Sequence, residues 1–179
     1  MADVRVKPIN EELRFLADEV IVSKTDRTGR ILYANDVFCR MAEMTTAQVI
    51  GQPHSIIRHP DMPRAVFKLL WDTIGSGREI FTYVKNMSAT GRFYWVIAHV
   101  TPTLNNAGAI IGYHSNRRVP SPRGVAAIVP LYKELLAEEA RHANSRDGLA
   151  ASTALLNARL TALGQTYDEF IWSLENDVV

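Results

Sequence analysis

The sequence is nearly free of cysteine. Cys39 is the single cysteine among 179 residues, so no disulfide can form within the chain. The residues around it, VFCRMAEM, have a helix-like pattern, and we interpret Cys39 as a small buried hydrophobic side chain rather than a redox-active thiol. Disulfides therefore contribute nothing to the predicted fold.

Long apolar runs are also missing. The first residues, MADVRVKPINEELRF, contain no apolar stretch of signal-peptide length, and no later segment approaches the roughly 18 apolar residues that a membrane span needs. The net charge of +1 arises from 20 basic and 19 acidic residues, which are scattered rather than clustered. We expect a cytoplasmic protein that neither inserts into a membrane nor binds nucleic acid.

The common motifs of catalytic and metal sites are absent from the sequence. It contains no GxSxG, GxxxxGKS or GxGxxG, and no two histidines stand at metal-ligand spacing such as HxxxH. Two pairs of adjacent carboxylates, Glu11-Glu12 and Glu138-Glu139, lie in helix-like, solvated contexts. We therefore expect neither an enzyme nor a metal centre.

The rest of the composition is typical of an ordered globular protein, with 47% hydrophobic and 22% charged residues. Turn signals separate runs with strand character, and Asp61-Met62-Pro63 and Gly75-Ser76-Gly77 mark the start and the end of an amphipathic helix. The resulting order of elements indicates an α+β domain with a five-stranded antiparallel sheet and short helices on one face. The strands are predicted at residues 19–26, 30–34, 79–87, 92–104 and 109–118.

The composition changes after Arg118. The segment VPSPRG contains two prolines and a glycine, which is typical of a domain boundary. Two helices are predicted after it, over residues 126–144 and 149–174, with a break at Asp147-Gly148. Apolar residues of the second helix recur close to a heptad repeat, which indicates a helical hairpin or a dimer interface. The predicted parts are an N-terminal cap at 1–18, a folded domain at 19–119 and a helical output or dimerisation segment at 120–179.

The densest polar cluster is the motif IIRHPDMP at residues 56–63. Arg58 can pair with a phosphate through two hydrogen bonds, His59 can donate to a phosphate or a ribose, and the helix start that follows supplies oriented N–H groups. An equally good interpretation is a surface ion pair between Arg58 and Asp61, with Asp61 as an ordinary helix cap. The residues alone leave both interpretations open.

Several motifs together resemble a known family. The motif IIRHPDMP is followed by a helix that contains Trp71, by VKN at 84–86, by GRFYWV at 91–96 and by IGY at 111–113. This arrangement resembles the PAS domain of bacterial aerotaxis receptors over about residues 10–120. The resemblance implies a PAS fold that binds FAD non-covalently and reports its redox state.

The resemblance also implies a set of cofactor contacts. By it, Arg58, His59 and Asp61 lie beside the phosphates and the ribose of FAD, and Trp95 packs against the isoalloxazine ring. Asn35 and Asn86 match asparagines of the family pattern, where an amide can both donate to and accept from the flavin's pyrimidine edge. Because an asparagine after a strand is also a common helix cap, Asn35 has a purely structural interpretation as well.

His99 departs from the family pattern, which has an asparagine at this place. Alternation along the predicted strand puts His99 on the same face as Trp95. If that face lines the cavity, His99 can hydrogen-bond the flavin and respond to the negative charge gained on reduction. The same histidine, or His114, is the candidate iron ligand if the cofactor is haem instead.

The leading functional hypothesis is a flavin redox sensor in aerotaxis or chemotaxis. Aerotaxis receptors continue into a membrane anchor and a methyl-accepting coiled coil, whereas this chain ends after the predicted helices. We therefore expect a homodimer that signals in trans to a chemoreceptor or a histidine kinase, and we expect that deletion of residues 120–179 spares FAD binding. The alternatives are a haem-binding oxygen sensor, a cofactor-free dimerisation or scaffold module and, last, a flavoenzyme.

Overall fold

The computed structural model describes residues 6–175. The first five residues of the predicted N-terminal cap and the last four of the predicted output segment lie outside the described residues. A single 3₁₀ turn at His54–Ile57 precedes the longest helix of the first half. The strands are β1 (Ile21–Asp26), β2 (Ile31–Ala34), β3 (Ile80–Met87), β4 (Phe93–Leu104) and β5 (Ile110–Arg118). The helices are α1 (Asp36–Ala42), α2 (Thr46–Val49), α3 (Arg64–Gly75), α4 (Pro122–Ala140), α5 (Ser145–Leu163) and α6 (Tyr167–Glu175).

The five strands form one antiparallel sheet in the order β2-β1-β5-β4-β3. The prediction of an α+β fold with a five-stranded antiparallel sheet is therefore confirmed. Strands β1 and β2 form one hairpin, β3, β4 and β5 form a meander, and the pairing of β1 with β5 joins the two, so β2 and β3 are the edge strands. We call the face that carries Val84, Ala98 and Ser115 the inner face, and the face that carries Tyr83 and Ile97 the outer face.

The turn between β1 and β2 is built by one carboxylate. Asp26 Oδ1 accepts hydrogen bonds from the backbone N–H groups of Thr28, at 2.8 Å, and Arg30, at 2.9 Å. Gly29 follows with a φ of +80°, a left-handed conformation that glycine adopts without strain. A Cβ at this position would lie 3.0 Å from the ring of Trp71, so Gly29 also lets α3 approach the turn.

Helix α3 crosses the inner face and buries Val66, Leu70 and Ile74, as its apolar periodicity predicts. The predicted cap, Asp61, does not cap it, because Pro63 occupies the N-cap position and makes no side-chain hydrogen bond there. A carboxylate from α4 takes this role. Glu139 accepts a hydrogen bond from the backbone N–H of Ala65 at 3.2 Å and pairs with the guanidinium of Arg64 at 3.0 Å.

The C-terminal segment contains three helices rather than the two that we predicted. The predicted break at Asp147-Gly148 lies inside α5, where a Cβ on Gly148 would come within 2.7 Å of a backbone carbonyl oxygen of α4. Gly148 thus permits close packing of two helices and does not end one. The first break lies just before the predicted one, at residues 141–144 between α4 and α5. A second break, which we did not predict, falls at Gly164, whose φ of +65° makes it the left-handed residue that ends α5.

These helices pack against the sheet domain and share its hydrophobic core. Helix α5 lies against α3, while α4 and α6 lie over β3 and the outer face. We predicted the apolar stripe as the contact surface of a helical hairpin or a dimer. Much of it is buried within the chain, since Leu156 is 1% exposed and Leu160 is 9% exposed. Within residues 6–175, no helix is both long and apolar enough to cross a bilayer.

Candidate functional site

A cavity of about 340 Å³ lies between the inner face and α3. Its volume is at the lower end of the range of small-molecule sites. The entrance is framed by the β1–β2 turn and by Trp71 and Tyr113, whose rings meet edge to face at 5.4 Å. Alternating residues of four strands form its floor: Ser23, Thr25, Val84, Asn86, Ala98, Val100, Tyr113, Ser115 and Arg117.

Arg117 is the central charge of the cavity and is only 3% exposed. Its Nη2 donates to Ser23 Oγ at 2.8 Å and approaches His54 Nε2, while its guanidinium lies 5.5 Å from the ring centroid of Phe38. Its Nη1 is buried and has no hydrogen-bond partner. Burial lowers the pKa of Arg117 to about 10, so the group is still charged at neutral pH.

His54 completes this arrangement as a neutral base. Burial and the adjacent charge of Arg117 lower the pKa of His54 to about 3. A neutral imidazole at this position can accept a hydrogen bond at Nε2, which lies 3.2 Å from Ser23 Oγ. The residues that line the cavity include no aspartate and no glutamate, so Arg117 has no counter-ion there.

Among the residues that the structure describes, four buried polar atoms of the cavity wall have no hydrogen-bond partner. Unpartnered buried polar groups are uncommon in folded proteins and require an explanation. A ligand that offers hydrogen-bond acceptors would satisfy most of them, because amide, hydroxyl and guanidinium groups all donate. The four atoms are Thr25 Oγ1, Asn86 Nδ2, Ser115 Oγ and Arg117 Nη1.

Arg58 is the second cation of the cavity wall. Its Nη2 donates to the backbone oxygen of Met62 at 3.2 Å, and its guanidinium lies 4.1 Å from the ring centroid of Phe67. A backbone bridge to Asn86 holds its segment against the edge of β3, and burial lowers the pKa of Arg58. Of the seven cofactor contacts implied by the sequence, Arg58 and Asn86 line the cavity.

His59 and Asp61 lie outside the cavity, on the segment between Arg58 and α3. His59 is 3% exposed, and its Nδ1 accepts from the backbone N–H of Asp61 at 3.0 Å. The carboxylate of Asp61 contacts Lys85 Nζ at 2.6 Å, so Asp61 pairs with this lysine and not with Arg58. Burial and the charge of Lys85 lower the pKa of His59, whereas Lys85 lowers the pKa of Asp61 against the effect of burial.

Asn35 serves the backbone and does not line the cavity. Its Oδ1 accepts from the backbone N–H groups of Phe38 and Val22, each at 3.0 Å, and its Nδ2 donates to the backbone oxygen of Val20 at 2.8 Å. The interpretation of Asn35 as the N-cap of a helix is confirmed by these contacts.

Trp95 and His99 share a face, as strand alternation predicts, but the structure places that face away from the cavity. Trp95 stacks on Tyr132 of α4 with ring centroids 6.3 Å apart. His99 stacks on Phe81 at 4.1 Å and its Nε2 lies 2.7 Å from a Glu79 carboxylate oxygen. Alternation could not decide which face meets the cavity, because the C-terminal helices cover the outer face of β4 as well. The expectation that Trp95 and His99 line the cavity is corrected accordingly.

Sequence reasoning missed the residues that dominate the site. The sequence patterns considered above single out neither His54 nor Arg117. The signal for Arg117 was present, since alternation along β5 places it with Tyr113 and Ser115 on one face and places His114 on the other. An arginine on the inward face of a central strand indicates a ligand or a buried ion pair.

Comparison with known proteins settles the family. The family model described as the PAS fold matches residues 19–115, which is more than half of the chain. This chain belongs to the PAS family. In this PAS domain the cavity lies between the sheet and α3.

Relatives of this PAS domain include two kinds of bacterial protein. The aerotaxis receptor of Escherichia coli (strain K12) is 40% identical over 118 residues, which cover 66% of this chain and 23% of the receptor. A nitrogen fixation regulatory protein of Klebsiella oxytoca is 29% identical over 99 residues, which cover 55% of this chain and 20% of that protein. The chain thus spans less than a quarter of the length of these relatives.

Solved structures of other PAS-fold domains are similar in shape. The light-state structure of the blue-light photoreceptor Aureochrome1 LOV has a TM-score of 0.55 at 22% identity, covering 62% of this chain and 88% of that one. The light-state dimer of the fungal blue-light photoreceptor Vivid has a TM-score of 0.52 at 17% identity, covering 59% and 81%. At these identities the similarity establishes the fold of this PAS domain and nothing about its ligand.

Proposed function

We propose that this PAS domain binds FAD non-covalently in the cavity and reports the redox state of the flavin to a signalling partner. The observation that carries the proposal is Arg117, a buried cation that faces the cavity with one unpartnered nitrogen and no carboxylate opposite it. A buried charge of this kind is costly unless something compensates it. A ligand with electron-rich oxygen and nitrogen atoms supplies that compensation.

The donors of the cavity fit an isoalloxazine ring. Its pyrimidine edge carries carbonyl oxygens and ring nitrogens, which Arg117, Asn86 and Ser115 can reach as donors from the sheet floor. Apolar side chains of α3 and β4, among them Leu70 and Val100, provide the surface against which a flat ring packs. A ring bound here would therefore have hydrogen-bond donors at its polar edge and apolar side chains against its faces.

Arg58 is placed to hold the phosphates of the dinucleotide. It lines the same cavity and lies at the segment that leads into α3, and an arginine can bind phosphate through two hydrogen bonds. His59 and Asp61 follow directly in the chain, so their predicted contacts with the phosphates and ribose remain part of this proposal. Bound FAD would supply reversible two-electron chemistry. The two arginines stabilise the added negative charge of the reduced form, which makes the protein sensitive to that state.

The absorption spectrum of the purified protein tests the proposal. We expect the absorbance of an oxidised flavin, lost on addition of dithionite and restored by air. Arg117→Met and Arg58→Ala should each weaken FAD binding about tenfold or more, because each removes a charged donor. Arg118→Met is the matched control, since Arg118 is the exposed neighbour on the same strand. A colourless protein that takes up no added FAD would overturn the proposal.

The proposed role is sensing in trans rather than catalysis. The similarity to the aerotaxis receptor supports a part in aerotaxis or chemotaxis, with a chemoreceptor or a histidine kinase as the partner and the cytoplasm as the compartment. A homodimer is part of the same proposal. His99 and His114, the two candidate iron ligands from the sequence, lie outside the cavity, and a Soret band in the same spectrum would reveal haem.

A further inference from the structure

A carboxylate from outside the matched PAS region lies at the start of α3. Glu139 belongs to α4, whereas the family model matches residues 19–115. The side chain of Glu139 is only 9% exposed, and its Oε2 pairs with Nε of Arg64 at 3.0 Å. Its other oxygen, Oε1, accepts from the backbone N–H of Ala65 at 3.2 Å. Both oxygens of this carboxylate therefore bind groups at the beginning of the helix that lines the cavity.

The guanidinium of Arg58 lies at the same helix start. Its Nη2 donates to the backbone oxygen of Met62, two residues before α3 begins, and it lies 4.1 Å from the ring centroid of Phe67 in the first turn of α3. Burial lowers the pKa of Arg58, Glu139 acts to raise that pKa, and Arg64 acts to lower it. The three charged groups thus act on one another, and Arg58 carries their influence to the cavity that it lines.

This cluster of Arg58, Arg64 and Glu139 contains two cations and one anion. The carboxylate of Asp61 contacts Lys85 Nζ at 2.6 Å and belongs to a separate ion pair. A phosphate binds to the same groups as a carboxylate, namely guanidinium groups and the backbone N–H groups of a helix start. Glu139 therefore occupies donors that a phosphate of the ligand would use.

We propose that Glu139 determines specificity, because it competes with the phosphates of the ligand for the cations at the start of α3. The inference rests on the proposed function, which puts the pyrophosphate of FAD beside Arg58. Like charges repel more strongly in a partly buried site than in bulk water. Glu139 accordingly weakens the binding of flavins that carry phosphate and has no such effect on riboflavin, which carries none. The preference for FAD over riboflavin is then smaller than the two arginines alone would give.

Titration of the ligand-free full chain with riboflavin, FMN and FAD, followed by flavin fluorescence, tests the inference. Glu139→Gln keeps an acceptor oxygen for the N–H of Ala65 and removes the charge. We expect this variant to bind FMN and FAD about tenfold more tightly than the wild type and riboflavin with unchanged affinity. Glu139→Met, a second neutral variant, should show the same selective gain, whereas Glu139→Asp keeps the charge and should show none.

Glu138→Gln is the matched control for these variants. Glu138 is the preceding residue of α4, and its carboxylate pairs with Arg141 and His142 instead of the start of α3. This control should bind all three flavins as the wild type does.

The pattern across the three flavins decides the outcome. If the neutral variants bind all three flavins more tightly by one factor, or bind none of them more tightly, Glu139 does not compete with phosphate and the inference is overturned. Flavin binding by the wild type leaves the proposed function standing in both cases. A wild-type chain that takes up none of the three flavins overturns the proposed function and this inference together.

Discussion

Arg117 is only partly stabilised by the side chains around it, since Ser23 and His54 contact one of its nitrogens and leave another without a partner among the described residues. Its guanidinium is buried, one of its nitrogens is unpartnered, and the cavity offers it no carboxylate. Natural proteins often keep such costly groups where function needs them. For this residue, ligand binding therefore requires a buried charge that the stability of the fold disfavours.

Replacement of Arg117 by methionine should separate these requirements. Methionine fills a similar volume without a charge, and Ser23 and His54 remain within hydrogen-bond distance of each other at 3.2 Å. We expect the free energy of unfolding of the ligand-free protein to rise by about 1–3 kcal/mol. Urea denaturation in the absence of FAD measures this, with the exposed Arg118→Met as the control. A loss of stability in Arg117→Met would show that the guanidinium contributes more to the fold than it costs.

His54 gives the stability of the fold a defined pH dependence. Its pKa is about 3 in the folded protein and near 6.5 in the unfolded chain, so the unfolded state binds the proton first as the pH falls. The contribution of His54 is therefore fully present above pH 6.5 and is lost progressively as the pH falls towards 3. Between pH 7 and pH 5 this amounts to about 2 kcal/mol.

Substitution of His54 by glutamine should remove most of that dependence. Unfolding free energies at pH 7 and pH 5 should differ by about 2 kcal/mol less in His54→Gln than in the wild type. His142→Gln, at a partly exposed position in the connection between α4 and α5, is the control and should keep the wild-type difference. Identical pH dependence in all three proteins would mean that His54 is not buried as a neutral base.

The sequence predicted only part of the site because pattern gives the face of a residue but not what lies against it. Arg58 and Asn86 line the cavity, as the family resemblance implied. Trp95 and His99 were placed together correctly but on the wrong side of the sheet. One face of β4 lines the cavity and the other packs against α4. Alternation separates the two sets of side chains but does not tell which set faces the cavity.

At the scale of elements, the strands were predicted to within about two residues because turn residues bound them clearly. The structural roles of the glycines in the C-terminal segment were harder to predict. Gly148 lies in a helix because α4 passes too close for any side chain, whereas Gly164 ends a helix in the left-handed conformation. Sequence alone does not distinguish a glycine needed for close packing from one needed for a turn.

Gly124 provides a test of the packing between α4 and β3. A Cβ at this position would overlap the hydroxyl of Tyr83, which donates to Glu175. We expect Gly124→Ala to lower the free energy of unfolding by about 1–3 kcal/mol, as overpacking does. Gly75→Ala is the control, because nothing lies within 4 Å of its Cβ position in α3, and it should raise stability by about 0.5–1 kcal/mol. Thermal unfolding of both variants measures this. A loss of stability in both would indicate that glycine replacement in these helices is unfavourable in general and would not point to the contact with Tyr83.

At the scale of the whole molecule, the C-terminal helices are an integral part of the fold. Tyr132 covers Trp95 on the outer face, and Glu139 binds the N-terminus of the helix that lines the cavity. Much of the apolar stripe of α5 is buried within the chain, although Leu163 at its end is 56% exposed, and a homodimer remains a prediction. The sequence could not show this, since a heptad pattern is the same whether its partner is internal or a second copy.

Truncation at Val119 should therefore impair the cofactor site as well as any output. The sequence led us to expect that deletion of residues 120–179 spares FAD binding, whereas the contacts of these helices with the sheet and with α3 favour the opposite outcome. The fragment exposes Phe81, Tyr83 and Trp95 and leaves α3 without its Glu139 cap. We expect lower solubility and a loss of FAD binding of about tenfold or more, measured by spectral titration of soluble material. A soluble fragment with the affinity of the full chain would make the helices dispensable to the site.

The positive charge in the cavity also makes the amount of folded protein depend on the supply of its ligand in the cell. A chain that folds without its ligand carries the unfavourable charge of Arg117 in its interior, while ligand at a hundred times its dissociation constant adds about 2.7 kcal/mol of stability. A difference of that size changes how much newly made protein escapes the proteases that remove unfolded chains. If the ligand is FAD, as we propose, the amount of this protein in a starved cell should accordingly follow the supply of riboflavin.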